Sequence, residues 1–224
     1  MPFDSYTSLL TTIDSWLGQR PELTQIYPDF VTLAESRLYR DLRATEMMQR
    51  RMALLNEAYE WLPDDFLQMD RVVVRPGSQG GSSIQAVRLS GYTPGQLTSR
   101  YGDMTAPLPE AYAVEGNQIH FAPAPTPQDL PEGIIDPSPY RNFEINYYGR
   151  FTPLSDVNPM NAVFNTYPEV YLYAALIEAE PYLANDPRVA LWKAMLDDAI
   201  ARINLMAENQ SVSALVVGGG WEVG

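Results

Sequence analysis

Apolar residues recur at helical spacing towards both ends of the chain and alternate in its middle. Near the start, Tyr6, Leu9, Leu10, Ile13 and Leu17 form one stripe, with Asp4 or Ser5 placed to cap the helix and Gly18 to end it. Pro21 and Pro28 punctuate the loop that follows, and Pro28 suits the first turn of a second helix. Phe30, Val31, Ala34, Leu38 and Leu42 share one face of that helix. Late in the chain, residues 154–164 read as a short, irregular helical stretch. Val170, Tyr171, Ala174, Ala175 and Ile177 then make a further face, and Pro181 ends or kinks that helix. Asp186 and Pro187 supply the cap and first turn of a last helix. On it Trp192, Leu196, Ala199, Ile203 and Met206 recur at heptad-like spacing and read as bundle core.

Between these helical parts the period changes to that of strands. Arg71, Val72, Val73, Val74 and Arg75 form a clear strand signal, and 84–89 and 142–148 read the same way. Residues 112–121 form a hairpin pattern around Gly116-Asn117, a pair suited to a tight turn. A short helix fits 93–101, with Pro94 near its start. Residues 46–56 suit strand or helix equally. In 60–69, Pro63 sets a turn and Asp64 or Asp65 is placed to cap a short helix. The glycine- and serine-rich stretch 76–83 reads as a loop or hairpin tip, and the proline-dense stretch 123–139 as an extended, edge-hugging loop. Short strands edged by proline predict a small sheet or sandwich, not a parallel α/β core. The predicted class is therefore α+β: a discontinuous α-helical bundle with an inserted small antiparallel β domain and an extended C-terminal arm. The predicted boundaries are 1–45 plus 153–209 for the bundle, 46–152 for the β insertion and 210–224 for the arm.

Composition changes this picture in three places. With 224 residues, 46% of them hydrophobic, the chain can bury a sizeable core as one large domain or two small ones. It has no cysteine, which removes disulfides and thiolate zinc sites and fits a reducing compartment. Its net charge of -13 lacks the basic excess that phosphate neutralisation requires, and suits a surface past which DNA slides. Lys193 is the single lysine, so the basic set is almost all arginine, which leans towards ion-paired interfaces. Asp41 falls on the apolar face of the second helix with Arg37 one turn before it, a placement that is costly without a partner. An Arg37–Asp41 pair or an Arg40-centred ion-pair network is expected there, partly buried. No apolar run is long enough for a membrane span, and the opening residues do not read as a signal peptide.

Catalytic chemistry finds little support. His120, the single histidine, sits between Ile119 and Phe121 on a predicted strand and reads as a surface or half-buried strand residue. Asp64–Asp65 and Asp197–Asp198 are adjacent pairs, and neighbours on a helix do not face each other. The glycine-rich loop lacks the lysine and the following helix of a phosphate-binding loop. No cofactor is expected, and no histidine–carboxylate metal spacing occurs; an oxygen-only Mg²⁺ or Ca²⁺ site stays open. The C-terminal segment carries Ala214, Leu215, Val216 and Val217, then Gly218 to Gly220 and Trp221. An exposed apolar patch of that kind calls for a partner.

Three stretches together carry a resemblance. They are DFVTLAESRLYRDLR at 29–43, WLPDDF at 61–66 and YPEVYLYAALIEA at 167–179. In order and spacing, over roughly residues 3–207, the chain resembles the head-to-tail adaptor (head-completion or connector) proteins of tailed bacteriophages. The resemblance favours a strand over 46–56. It implies a structural virion protein of the neck, assembled in the host cytoplasm and not an enzyme. It further implies a homo-oligomeric ring of about twelve copies, joining the portal protein to a tail or nozzle protein. Genomic DNA would pass through the lumen without specific binding. The helical part would form the ring wall and the β insertion would project towards the tail. Terminal arms of such proteins reach the portal, which makes Leu215, Val216, Val217 and Trp221 the expected portal anchors, with the glycines as hinge. Two alternatives remain: a virion-associated cell-wall-degrading enzyme, and another neck ring such as a stopper or tail terminator.

Overall fold

The computed structural model describes residues 5–77, 85–128, 140–183 and 186–216, with side chains in the last stretch as far as residue 209. Helices α1 (Tyr6–Trp16) and α2 (Tyr27–Asp41) come first. Strands β1 (Met48–Leu54), β2 (Tyr59–Trp61), β3 (Phe66–Arg75), β4 (Val87–Arg88) and β5 (Ser90–Gly91) lead to α3 (Pro94–Tyr101). Strands β6 (Thr105–Ala106), β7 (Ala111–Glu115), β8 (Gln118–Ala122), β9 (Ala124–Pro125) and β10 (Asn142–Gly149) follow. Helices α4 (Ala162–Thr166), α5 (Pro168–Glu178) and α6 (Arg188–Val216) complete the order. The class is α+β, with the β part inserted between the two helical segments. The chain forms two compact units, Met1–Met47 with Arg150–Gly224, and Met48–Gly149.

In the helical unit the caps sit where short polar residues permit them. Ser8 N–H donates to Ser5 Oγ (3.2 Å) and Ser5 N–H to Ser8 Oγ (3.0 Å), a reciprocal box that starts α1. Gly18 leaves that helix at φ +84°. Asp186 Oδ1 accepts from Arg188 N–H (2.9 Å) ahead of α6. The second end of α2 is capped from another helix: Asn204 of α6 accepts from Arg43 N–H (2.7 Å) and donates to Asp41 O (2.9 Å). The core faces read from α1 and α2 are buried, including Leu9, Ile13, Phe30, Ala34, Leu38 and Leu42. Helix α5 is apolar on nearly every side because α1, α2, α4 and α6 all pack on it.

Helix α6 departs from expectation twice. Its buried stripe is Trp192, Leu196, Ile200, Ile203 and Ala207. Ala199 and Met206, expected in the core, stand one position off it, and Met206 is 49% exposed. A straight helix at 3.6 residues per turn drifts off a strict heptad, so the contact stripe moves by one residue over this length. The backbone also stays helical through Val216, so 210–216 are not an extended arm. No glycine or proline interrupts it before Gly218. Residues 217–224 lie outside the described residues. The region 154–164, expected as irregular helix, is a loop that becomes α4 only at Ala162.

The β unit is a sandwich. One sheet runs β1-β10-β3-β4 and the other β2-β8-β7-β5, with β6 and β9 as a separate short pair. Val72, Val74, Phe143, Ile145 and Tyr147 of the first sheet pack on Ile119 and Phe121 of the second. The ambiguous stretch 46–56 resolves as strand β1, antiparallel to β10. The 61–66 turn does not lead into a helix. Phe66 N–H closes it on Pro63 O (3.0 Å), Asp65 accepts from Tyr147 O–H (3.0 Å), and β3 starts at once. Gly116 takes φ +61° in the β7–β8 hairpin. The first strand residue expected at Ile84, the loop tip at 78–83 and the proline-dense stretch from 129 to 139 lie outside the described residues.

One polar cluster holds the helical unit's long loop, residues 150–161. Glu35, on the buried face of α2 and only 4% exposed, accepts from Leu154 N–H (2.7 Å) and, more loosely, Tyr171 O–H (3.4 Å). Asn161 donates to Tyr171 Oη (2.8 Å) and Thr152 O (2.8 Å), and accepts from Phe164 N–H (2.8 Å) to start α4. Tyr39 O–H donates to Phe151 O (2.9 Å). Burial pushes the Glu35 carboxyl up to about 7, and the bonds from Leu154 and Tyr171 draw it partly back.

Two outcomes follow for stability. Asn204→Ala strips the cap from α2 and should cost about 1–2 kcal/mol in urea unfolding; an unchanged midpoint would show that the cap contributes nothing. A carboxyl whose folded value lies above its unfolded one binds extra protons when folded, so its contribution to stability falls as pH rises from about 4.5 to about 7. Glu35→Gln keeps an acceptor but cannot titrate. Between pH 4.5 and 8 the variant should therefore gain on the native protein by about 3 kcal/mol. Parallel stability curves would mean that Glu35 does not titrate in this range.

Candidate functional site

The residues that could do chemistry are tied up or dispersed. His120 stacks on Tyr59 with ring centres 4.1 Å apart, and its Nδ1 lies 3.1 Å from Glu115 Oε1. Asp65 is bound by Tyr147, whose hydroxyl is pushed up to about 12 by burial and by that carboxylate. Asp198 pairs with Arg202 one turn along α6 (2.8 Å), on an exposed face where such a pair contributes little. Among the described residues no group of three or more histidine and carboxylate side chains is placed to hold a metal ion. Nor is any described helix long and apolar enough to cross a membrane.

The expected ion pair takes a different form. Arg37 donates from Nε (2.8 Å) and Nη2 (2.5 Å) to Glu178 Oε1, so it bridges α2 to α5 instead of reaching Asp41. Asp41 is exposed at the end of α2, where the chain turns away, and so needs no partner. Arg40 is exposed as well. The carboxylate that does lie inside the apolar face is Glu35. It sits four residues after Val31 and three before Leu38, so the same periodicity that pointed to Asp41 applied to it. What separates them is that the helix continues past one and stops at the other.

An unfilled groove of the helical unit lies between α5 and α6. Tyr167, Tyr173, Met195, Ala199 and Met206 line a groove of about 370 Å³, edged by Glu169, Asp198 and Arg202. Trp16, 40% exposed, stands beside Tyr173 with ring centres 6.3 Å apart. The signal for this groove was present in α6. Its sequence carries more apolar positions than one core face needs, and Met195, Ala199 and Met206 form a second stripe beside the buried one. Of the expected anchors, Leu215 and Val216 fall on the last turn of α6, where only the backbone is described, and Val217 and Trp221 lie outside the described residues.

A site built of an apolar, methionine-lined groove, an exposed aromatic and unpaired surface charge is suited to holding protein rather than to transforming a small molecule. Comparison with curated proteins yields no match. Comparison with protein families matches residues 4–218 to the SU10 adaptor protein family. That match takes in all of 29–43, 61–66 and 167–179, and bears out the resemblance to phage head-to-tail adaptors. Because it spans nearly the whole of the 224 residues, the chain belongs to the SU10 adaptor protein family.

Proposed function

We propose that this protein is the adaptor ring of the phage neck, seated between the portal and the tail or nozzle and forming part of the channel through which DNA leaves. Membership of the SU10 adaptor family makes it a structural adaptor of a bacteriophage, which implies a place in the virion and a structural rather than catalytic role. The observation that carries the finer reading is the reach of the match, 4–218, across both helical segments and the β insertion between them. In this reading about twelve copies close into a ring through heterologous contacts, in which one face of a subunit meets a different face of the next. The helical part, 1–45 with 153–209, forms the wall, and the β insertion, 46–152, points towards the tail. The net charge of -13 supports a lumen that repels phosphate and leaves the genome free to move. Assembly takes place in the host cytoplasm.

The C-terminal segment is the proposed portal contact, with Leu215, Val216, Val217 and Trp221 as anchors and Gly218 to Gly220 as hinge. The last buried residue described on α6 is Ala207, so truncation beyond residue 210 leaves the described core intact. Deleting 211–224 should weaken portal binding on the order of a hundredfold, because a few apolar and aromatic anchors carry most of such an interface, while thermal unfolding stays unchanged. Undiminished binding would remove these residues from the contact. Cryo-EM of the protein mixed with its portal tests the reading as a whole: a closed ring under the portal is expected, and a monomer that never joins it would overturn the proposal.

A further inference from the structure

Among the described residues two faces of the helical unit lack partners, and their chemistries are complementary. The first is the solvent side of α2. Leu33, Ser36 and Arg40 fall on one stripe at i, i+3 and i+7, and Leu33 is 50% exposed. Among the described residues Arg40 makes no hydrogen bond or ion pair, whereas Arg37 is held by Glu178. Ser36 turns its hydroxyl back onto Thr32 O (3.1 Å), leaving a low step between the leucine and the arginine. The second face is the α5–α6 groove. Met195, Met206 and Tyr173 give it an apolar lining, and methionine adapts its shape to what it meets. Glu169 at its edge likewise makes no hydrogen bond or ion pair among the described residues. Asp198 and Arg202 offset each other. The open valence of the groove is therefore apolar with one carboxylate, and that of the α2 stripe is apolar with one guanidinium.

We propose that α2 of one copy lies in the α5–α6 groove of the next, with Leu33 seated on Met195 and Arg40 paired with Glu169. The inference rests on the ring reading and names one heterologous contact such a ring requires. Charge argues for a second copy as the occupant. Subunits that each carry -13 repel one another, and a cation set against a carboxylate, as Arg40 against Glu169, offsets that repulsion where they touch. Helix-in-groove docking has this form, with anchors at i and i+7 on one side of the inserted helix.

The absence of cysteine gives a clean test. Chains carrying Ser36→Cys and Ala199→Cys are mixed at high concentration under oxidising conditions, and sedimentation velocity follows the wild-type protein in parallel. A covalent heterodimer is expected from this pair and not from Ser36→Cys mixed with Ser99→Cys. Arg40→Glu should weaken self-association on the order of tenfold, and Arg40→Glu with Glu169→Arg should restore it. Thermal melts confirm that each variant is folded, and Glu169→Arg alone carries the test if Arg40→Glu is not. Self-association with no cross-link, or unaffected by the charge reversal, overturns this interface and leaves the ring standing. A protein that stays monomeric with no cross-link overturns this interface, and only its failure to join the portal as well overturns the ring.

Discussion

Glu35 is a carboxyl group in a place with almost no water, and the helical unit is arranged around meeting its needs. A buried carboxylate without donors costs several kcal/mol, so something must come to it. What comes is the amide of Leu154 and the hydroxyl of Tyr171. The first pins the loop 150–161 onto α2, and the second fixes the rotation of α5 about its axis. Tyr171 in turn accepts from Asn161, which also holds Thr152 and starts α4. One unfavourable burial thus helps set the path of a loop whose Phe151 and Leu154 are buried beside it.

The same arrangement explains how sequence-distant segments make one unit. Four polar links in the helical unit join the first segment to the last: Glu35 to Leu154, Arg37 to Glu178, Tyr39 to Phe151, and Arg43 to Asn204. Neither half can satisfy these groups alone. Helix α5 is the apolar axis, and α2 packs on it with polar fastenings from Glu35 to Tyr171 and from Arg37 to Glu178. Such non-local closure carries a loop-entropy cost that the β insertion, a sandwich with its own core, reduces by keeping the ends of a long loop ordered. Unpaired buried groups in a half-folded chain would be penalised, which makes the docking of the two segments cooperative.

Much of this was legible in the sequence because periodicity reports burial directly. The faces of α1 and α2, the β7–β8 hairpin and the strand alternation of 71–75 all followed from it. Three features were not legible, each for a physical reason. Glu35 and Asp41 flank the apolar stripe of α2 on opposite sides, and it is Glu35, in mid-helix, that is buried while Asp41, at the helix end, is exposed. Ala199 and Met206 fit a heptad, but α6 is straight enough to follow its own 3.6-residue period, which places Ile200 and Ala207 inward instead. The turn at 61–66 has a residue set suited to a helix cap, yet Tyr147 claims Asp65 through a contact 82 positions away. Local rules cannot see partners at that separation.

The misassigned residues of α6 also bear on function. A position that fits the core pattern but faces outward is surplus apolar surface, and a protein of net charge -13 gains solubility without needing to tolerate it. Met195, Ala199 and Met206 are therefore better explained by a contact outside the fold than by the fold itself. The arginines tell the same story from the other side. Arg37 is held by Glu178 within the unit, while Arg40, one residue short of the end of α2, makes no ion pair among the described residues. An exposed leucine beside this arginine is what the proposed contact with an acidic, apolar groove would use. In a phage structural adaptor, such exposed apolar surface is the part of the described molecule that its own fold does not explain.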